Sequence, residues 1–226
     1  MLNELISLIY PHVCLSCTFP LRKYEKFICL KCKNHLPKTQ FAERVENPVM
    51  KLMWGKAKVE HASSSYYFKK GNRIQKLMHQ LKYKGKEELG EELGKMMALE
   101  LKKSSIYEKI DGIIPLPLHL SKKRLRGYNQ CDSLAIGIAE NLKIEIFPTA
   151  IMRIKANISQ TKKGYFERHE NVNDIFKVCE PEKLNGKNIL LIDDVITTGS
   201  TLAACAKTLN DHTSARLFIS TLAAAI

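Results

Sequence analysis

Residues 188–201 read NILLIDDVITTGST, and this stretch indicates the fold class. The apolar run from Ile189 to Ile192 has the length and composition of a buried strand. Two aspartates and a turn rich in threonine follow it. A helix is predicted from about Ser200 to Leu209, because apolar residues recur there at helical spacing. A strand that passes through a short turn into a helix is the building unit of an α/β sheet protein.

The chain after residue 110 repeats this alternation. Strands are predicted in the segments DGIIPLP, KIEIFP, AIMRI, IFKV, NILLI and ARLFISTLA, with a helix near Gln130 to Leu142 among them. Before residue 110, helical spacing of apolar residues predicts one helix around Ile74 to Leu81 and another around Glu87 to Lys103. Alternating strands and helices predict an α/β fold with a mainly parallel sheet covered by helices on both faces.

Asp193 and Asp194 are expected at the carboxyl end of their strand, where parallel sheets bind ligands. The turn that follows leads into a helix whose unpaired amides and positive dipole attract anions. Gly199 permits close approach, and Thr197, Thr198, Ser200 and Thr201 add hydroxyl groups. The turn could hold a phosphate while the aspartates hold a polyol or a metal. A single ligand that would fit both parts is a sugar phosphate.

Two other interpretations of the acidic pair exist. A strand that ends in acids resembles a Walker B element, but the chain has no GxxxxGK[ST] loop to accompany it. An acidic pair also occurs in receiver domains, which leaves the threonine turn unexplained.

The cysteines Cys14, Cys17, Cys29 and Cys32 form two CxxC knuckles, CLSC and CLKC, with eleven residues between them. Four thiolates at this spacing predict a structural zinc ribbon, because a closed tetrahedral site leaves no position for substrate. Redox or unliganded cysteines are the alternative. We expect residues 1–40 to be the ribbon, 41–60 a linker and entry to the core, and 61–226 the main domain.

The ILLIDDVITTGST segment resembles the phosphoribosyl-pyrophosphate (PRPP) signature of type I phosphoribosyltransferases. Behind the cysteine knuckles, the segments HQLKYKGKEELG, PLPLHLSKKRLRGYNQ and SQTKKGYFERHENVNDIF precede it in the order found in the ComF family. This resemblance covers nearly the whole chain. It implies the type I phosphoribosyltransferase fold with an N-terminal zinc ribbon, and a link to natural competence and the handling of imported DNA.

The resemblance also implies roles for individual residues. Asp193 and Asp194 would bind the ribose hydroxyls, and the turn from Thr197 to Thr201 would hold the 5′-phosphate. Arg124 and Arg126 are candidates for the pyrophosphate, since a planar guanidinium fork matches phosphate oxygens, although exposed basic residues are also ordinary. Mg²⁺ would accompany the pyrophosphate. The polar segment 155–173 corresponds to a catalytic loop with Gln160, Lys162 and Arg168 as candidate catalytic residues.

A net charge of +13 indicates a phosphate-bearing partner. Residues 69–86 contain seven lysines and arginines and no acid, which is typical either of a solvated helix face or of a surface for single-stranded DNA. Tyr66, Tyr67, Phe68 and Tyr83 are candidates to stack on bases, although aromatic residues are more often buried.

Two functions follow from these patterns. One is a protein of the ComF type that binds PRPP and Mg²⁺ and handles imported single-stranded DNA, with competence-machinery proteins such as a helicase as possible partners. The other is an active phosphoribosyltransferase of nucleotide salvage or synthesis with no direct DNA role. The sequence leaves catalysis open. No segment has the length of a membrane span, and the N-terminus lacks signal-peptide features, so we expect a cytoplasmic protein.

Overall fold

A five-stranded parallel sheet forms the centre of the protein, in a computed structural model that describes residues 12–155 and 175–226. Its strands are β1 (His61–Tyr67), β2 (Gly112–Pro115), β3 (Glu145–Ile146), β6 (Asn188–Ile196) and β7 (Arg216–Ala224). Their spatial order is β1-β7-β6-β2-β3, so β6 is the central strand and both of its neighbours run parallel to it.

The two remaining strands, β4 (Ile151–Arg153) and β5 (Phe176–Val178), pair with each other antiparallel in a separate small sheet. The alternation of the sequence suggested strands of one sheet. Local patterns predicted that these segments are extended, but only packing determines which strand each one meets.

Helices cover the sheet on both faces. They are α1 (Leu30–Asn34), α2 (Pro48–Met53), α3 (Arg73–Tyr83), α4 (Glu87–Leu101), α5 (Leu120–Arg126), α6 (Gln130–Leu142) and α7 (Ser200–His212). Leu190 and Ile192 of β6 join the core cluster that contains the apolar side chains of α3, α4 and α6. Ile189 and Leu191 join the opposite cluster with α7 and β5, because successive side chains of a strand point to opposite faces. The predicted mainly parallel sheet flanked by helices is confirmed.

The cysteine knuckles pack against α4. Cys14, Ile28 and Cys32 lie in the same core cluster as the apolar residues of α3 and α4. Around this contact, lysines of the N-terminal segment pair with glutamates of α4: Lys26 with Glu88 (2.6 Å), Lys38 with Glu100 (2.9 Å), and Lys33 with Glu92. The N-terminal unit therefore shares its core with the main domain.

The expected linker segment 41–60 also packs on the sheet. It contains a 3-10 helix (Phe41–Glu43) and α2, which begins after an Asn47 side chain that accepts hydrogen bonds from two backbone amides of its first turn. Phe41, Val49 and Met53 are buried in the core. The turn after α2 therefore lies at the edge of the sheet where β6 ends.

In residues 12–155 and 175–226, no helix combines the length and the apolar character that crossing a membrane requires.

Candidate functional site

At the carboxyl edge of the sheet, β6 extends beyond its neighbour β2. Strand β2 stops at Pro115, which pairs with Ile192, whereas β6 continues beside β7 to Ile196. The amide of Leu116 donates the last hydrogen bond on the β2 side, to the carbonyl of Ile192 at 2.9 Å. Asp193 and Asp194 therefore follow the last residue that β2 covers, at the edge where the sequence predicted a ligand site. The strand is longer than the predicted NILLI segment because β7 supports it through these aspartates.

Asp194 points to the face of the sheet that packs on α3 and α6. It is buried, and its Oδ2 atom lies 2.8 Å from Nζ of Lys82 on α3. The side-chain amide of Gln130, the first residue of α6, donates to the same oxygen at 2.7 Å. A buried carboxylate requires such partners, since an unpaired charge in this position is costly.

Asp193 points to the opposite face, towards β4 and α7. Its Oδ1 atom accepts a hydrogen bond from the amide of Asp194 at 2.7 Å, and the Cys131 thiol lies 3.5 Å from the same oxygen. Burial, and then the negative charge of Asp194, raise the pKa of Asp193 to about 7. Burial also lowers the pKa of Arg153 on β4, although the charge of Asp193 opposes that shift. This carboxylate thus changes its charge near neutral pH.

The turn after β6 presents hydroxyls and amides to one side. Thr197, Thr198 and Ser200 are exposed, and the hydroxyls of Thr198 and Ser200 lie 3.0 Å apart. Gly199 adopts φ +73° directly before α7 and supplies no side chain to cap the helix. Thr201 is half-buried in the first turn of α7. The Ser200 amide donates a long hydrogen bond to the Thr198 hydroxyl at 3.4 Å, and the start of this helix is suited to an anion.

A lysine outside the predicted set borders this turn. Nζ of Lys56, just after α2, donates to the carbonyl of Thr198 at 2.9 Å. A Cβ built on Gly199 would lie 2.3 Å from Cε of Met53. The segment expected to be a linker thus supports the turn, which the sequence offered no signal to predict.

Of the two predicted arginines, one is connected to the acidic pair. Arg126, at the end of α5, donates to Oε1 of Gln130 at 2.8 Å, and Gln130 in turn contacts Asp194. The Arg126 guanidinium also lies 5.7 Å from the centre of the Tyr83 ring. Arg124 is exposed on the same short helix.

Lys82 and Gln130 were not among the predicted site residues. Lys82 belongs to the basic run 69–86, whose charges suggested a surface, and Gln130 ends the GYNQ segment. Their positions in the sequence do not predict a contact with Asp194, because both contacts join elements that are distant along the chain. The predicted catalytic candidates Gln160, Lys162 and Arg168 lie outside the described residues, between β4 and β5.

The cysteines form a second site. The four sulfur atoms of Cys14, Cys17, Cys29 and Cys32 lie within 4.8 Å of one another. Four thiolates around one zinc ion lie about 3.8 Å apart, so this cluster fits a tetrahedral metal. Burial opposes ionisation of the Cys14 thiol, but backbone amides, first that of Cys29, lower its pKa to about 7. The cluster is thus suited to hold a metal such as zinc.

The aromatic candidates for base stacking are mostly packed into the protein. Tyr66 is buried, and Tyr67 and Phe68 are half-buried against the core. Tyr83 is 61% exposed at the end of α3, beside the basic residues of α5. Of this group, Tyr83 therefore offers the most accessible ring for stacking.

Several known proteins are similar to this chain. It is 31% identical over 136 residues to the DNA utilization protein YhgH of Escherichia coli O157:H7, a match that covers 59% of each protein. It is 33% identical over 100 residues to Competence protein F of Haemophilus influenzae, which covers 44% of each. The chain thus spans about three fifths of the length of the YhgH relatives that it matches. No protein-family model matches it.

Among solved structures, adenine phosphoribosyltransferase from Saccharomyces cerevisiae is similar, at 19% identity and a TM-score of 0.38, over 59% of this chain and 69% of that one. The curated relatives confirm the resemblance to the ComF family that the sequence motifs indicated.

Proposed function

We propose that this protein binds phosphoribosyl pyrophosphate with Mg²⁺ at the carboxyl edge of its sheet and takes part in handling imported single-stranded DNA. One observation carries the donor half of the proposal. Two carboxylates stand beyond the end of β2, and the uncapped start of α7 follows within the same loop. Acceptors for sugar hydroxyls and donors for a phosphate are thereby combined at one edge.

The donor would lie across this edge with its sugar on the aspartates. Asp193 and Asp194 would accept hydrogen bonds from the two ribose hydroxyls, which carboxylates do well. The amides and hydroxyls from Thr197 to Thr201 would hold the 5′-phosphate. Arg126, and Arg124 on the same helix, would reach the pyrophosphate, because guanidinium groups bind phosphate oxygens through two parallel hydrogen bonds.

Mg²⁺ fits this donor set chiefly through the ligand's own oxygens. It prefers oxygen ligands, but Oδ2 of Asp194 is already engaged by Lys82 and Gln130. When bound, Mg²⁺ would neutralise charge on the pyrophosphate. At the other site, Cys14, Cys17, Cys29 and Cys32 would hold a structural zinc ion within the ribbon of residues 1–40.

The DNA half of the proposal is supported by three features. The curated relatives are named for DNA utilization and competence. The chain carries a net charge of +13. Exposed Tyr83 lies between the basic residues of α3 and α5, a combination that suits a single strand. The proposal places the protein in the cytoplasm, with competence-machinery proteins such as a helicase as partners.

The second candidate is an active phosphoribosyltransferase of nucleotide salvage or synthesis. The complete donor signature favours it, and Gln160, Lys162 and Arg168 would then act on the donor. Incubation of the protein with PRPP, Mg²⁺ and a panel of nucleobases tests this candidate. Release of pyrophosphate with one base would support transfer, and no release with any base would leave the binding role alone.

Calorimetric titration with PRPP and Mg²⁺ tests donor binding. Hydrogen bonds to charged groups contribute about 1.5–3 kcal/mol each, so Asp193→Asn combined with Asp194→Asn should weaken binding by at least roughly 100-fold. Asp211→Asn, on an exposed acid near the end of α7, serves as the control and should bind like the wild type. Unchanged affinity in the double variant, or no binding by the wild type, would refute the donor site.

A further inference from the structure

A lysine from outside the ILLIDDVITTGST motif completes the acidic pair. Lys82 lies in the last turn of α3, and its Nζ atom is 2.8 Å from Oδ2 of Asp194. The Asp194 side chain is 6% exposed and that of Lys82 is 21% exposed, so water screens this ion pair little. The hydroxyl of Tyr128 donates to the carbonyl of Leu81, which holds the end of α3 against the following segments.

Both described contacts of the Asp194 carboxylate use the same oxygen. Lys82 and Gln130 approach Oδ2 from α3 and from the start of α6. Two donors from separate elements restrict rotation of the carboxylate. Among the described residues this leaves Oδ1 as the oxygen for an incoming hydroxyl.

We propose that Lys82 is a positioning residue of the donor site, which fixes the orientation of the Asp194 carboxylate so that the acidic pair can accept the ribose hydroxyls. The inference rests on the proposed donor binding. It adds to the motif a residue that neither the acidic pair nor the phosphate turn contains.

Charged and titratable groups face the acidic pair from five elements. They are Lys82 on α3, Arg126 on α5 through Gln130, Cys131 on α6, Arg153 on β4 and Cys205 on α7. The charge of Lys82 also lowers the pKa of Asp193, against the effects of burial and of Asp194. Removal of the Lys82 charge should therefore raise the pKa of Asp193 further.

The test is the pH dependence of PRPP affinity with Mg²⁺ present, measured by calorimetry for Lys82→Gln, Lys82→Arg and Lys84→Gln. We expect Lys82→Gln to bind about tenfold more weakly at neutral pH, because Asp194 loses its positioning partner, and to move the binding midpoint to higher pH, because Asp193 loses a cation that lowers its pKa. Lys82→Arg keeps the charge and should stay within about threefold of the wild type. Lys84→Gln removes an exposed cation two residues away and should leave the profile unchanged.

The outcomes separate this inference from the proposed function. If the wild type binds PRPP and Lys82→Gln has the same affinity and the same pH midpoint, the inference alone is refuted. If the wild type does not bind PRPP, the proposed donor site is refuted and the inference with it. If Lys82→Gln does not fold, Lys82→Met replaces it, because methionine fills a similar volume without the charge: weaker binding than in Lys82→Arg supports the inference, and affinity equal to the wild type refutes it.

Discussion

Asp193 and Asp194 are neighbours in sequence with different surroundings. Asp194 lies on the face of α3 and α6, where Lys82 balances its charge. Asp193 lies on the other face, where burial and the charge of Asp194 raise its pKa to about 7. The strand geometry causes this division, since consecutive side chains point to opposite faces of a sheet. One carboxylate therefore has a lysine partner, and the pKa of the other is raised towards neutral pH.

Asp193→Asn should stabilise the protein at high pH. The pKa of Asp193 in the fold is above its ordinary value, so the folded state loses stability as pH rises from the ordinary value towards about 7. The asparagine cannot ionise. At pH well above 7 it should raise the free energy of unfolding by about 1–2 kcal/mol, after allowance for the partial exposure of the side chain. Thermal unfolding measured at acidic and alkaline pH checks this.

The same experiment contains its control. Below the ordinary carboxyl range wild-type Asp193 is protonated in both states, so the two proteins should unfold at similar temperatures there. Asp211→Asn, on an exposed acid, should show no such gain at alkaline pH. If Asp193→Asn were less stable than the wild type at alkaline pH, the conclusion that burial and the charge of Asp194 disfavour an ionised Asp193 would be contradicted.

Gly199 supplies a backbone conformation that other residues adopt at a cost. Gly199→Ala at φ +73° should cost about 1–2 kcal/mol, and the new Cβ would also press on the buried Met53. Gly186 has the same φ of +73° with open space around it, so Gly186→Ala is a matched control for the backbone term alone. Urea unfolding should show a larger loss for Gly199→Ala, and PRPP affinity should fall only in that variant. Equal losses of unfolding free energy in the two variants would show that the Met53 side chain moves aside at no measurable cost.

At the scale of elements, the cysteine unit and α4 form one packed body. The buried cysteines and Ile28 share a core cluster with α3 and α4, and three lysine–glutamate pairs border the contact. The lysines that approach α4 come from a segment with little core of its own. Organisation of this segment by a metal would therefore stabilise elements outside it.

Loss of the metal site should lower the stability of the whole fold. Binding energy of a structural metal is folding energy, so Cys29→Ser or a strong chelator should cost at least about 2 kcal/mol. The loss should appear in the main cooperative transition, followed by circular dichroism during heating. Cys179→Ser, at an exposed cysteine outside the cluster, should behave like the wild type. An unchanged main transition after chelation would show that the N-terminal unit is energetically separate.

Across the whole molecule, the net charge of +13 is the property most relevant to DNA. Backbone phosphates release counterions when lysines and arginines bind them, so affinity for single-stranded DNA should fall by roughly 10- to 100-fold between about 50 mM and about 200 mM salt. Tyr83→Ala should weaken binding at each salt concentration by removing a stacking ring. Fluorescence anisotropy with a labelled oligonucleotide measures both effects.

Tyr24 provides the matched control for this surface. It is 71% exposed on the N-terminal unit, where its hydroxyl accepts a hydrogen bond from Arg22, so Tyr24→Ala should bind DNA like the wild type. An equal loss in the two variants would contradict the assignment to Tyr83. Affinity that does not change with salt would contradict electrostatic binding altogether.

Much of the architecture was predictable because its signals are local. The apolar run of β6, the helical spacing of α4 and the knuckle spacing of the cysteines each depend on residues close in sequence. The acidic pair was predicted at the sheet edge for the same reason. The burial of Tyr66 agrees with the usual placement of aromatic residues. The pairing of β4 with β5 was not predictable, since it depends on which element packs beside each strand.

The sequence by itself determined a parallel α/β sheet, a strand that carries two carboxylates into a phosphate-type turn, and four cysteines at metal-binding spacing. Only the tertiary structure decided that β2 stops at Pro115, opposite Ile192, directly before the acids, and that Lys82 and Gln130 converge on one oxygen of Asp194. The physical reason is the distance along the chain over which each signal acts. Periodicity and turn chemistry act over a few residues, whereas the partner of a buried charge is set by how distant helices pack on the sheet.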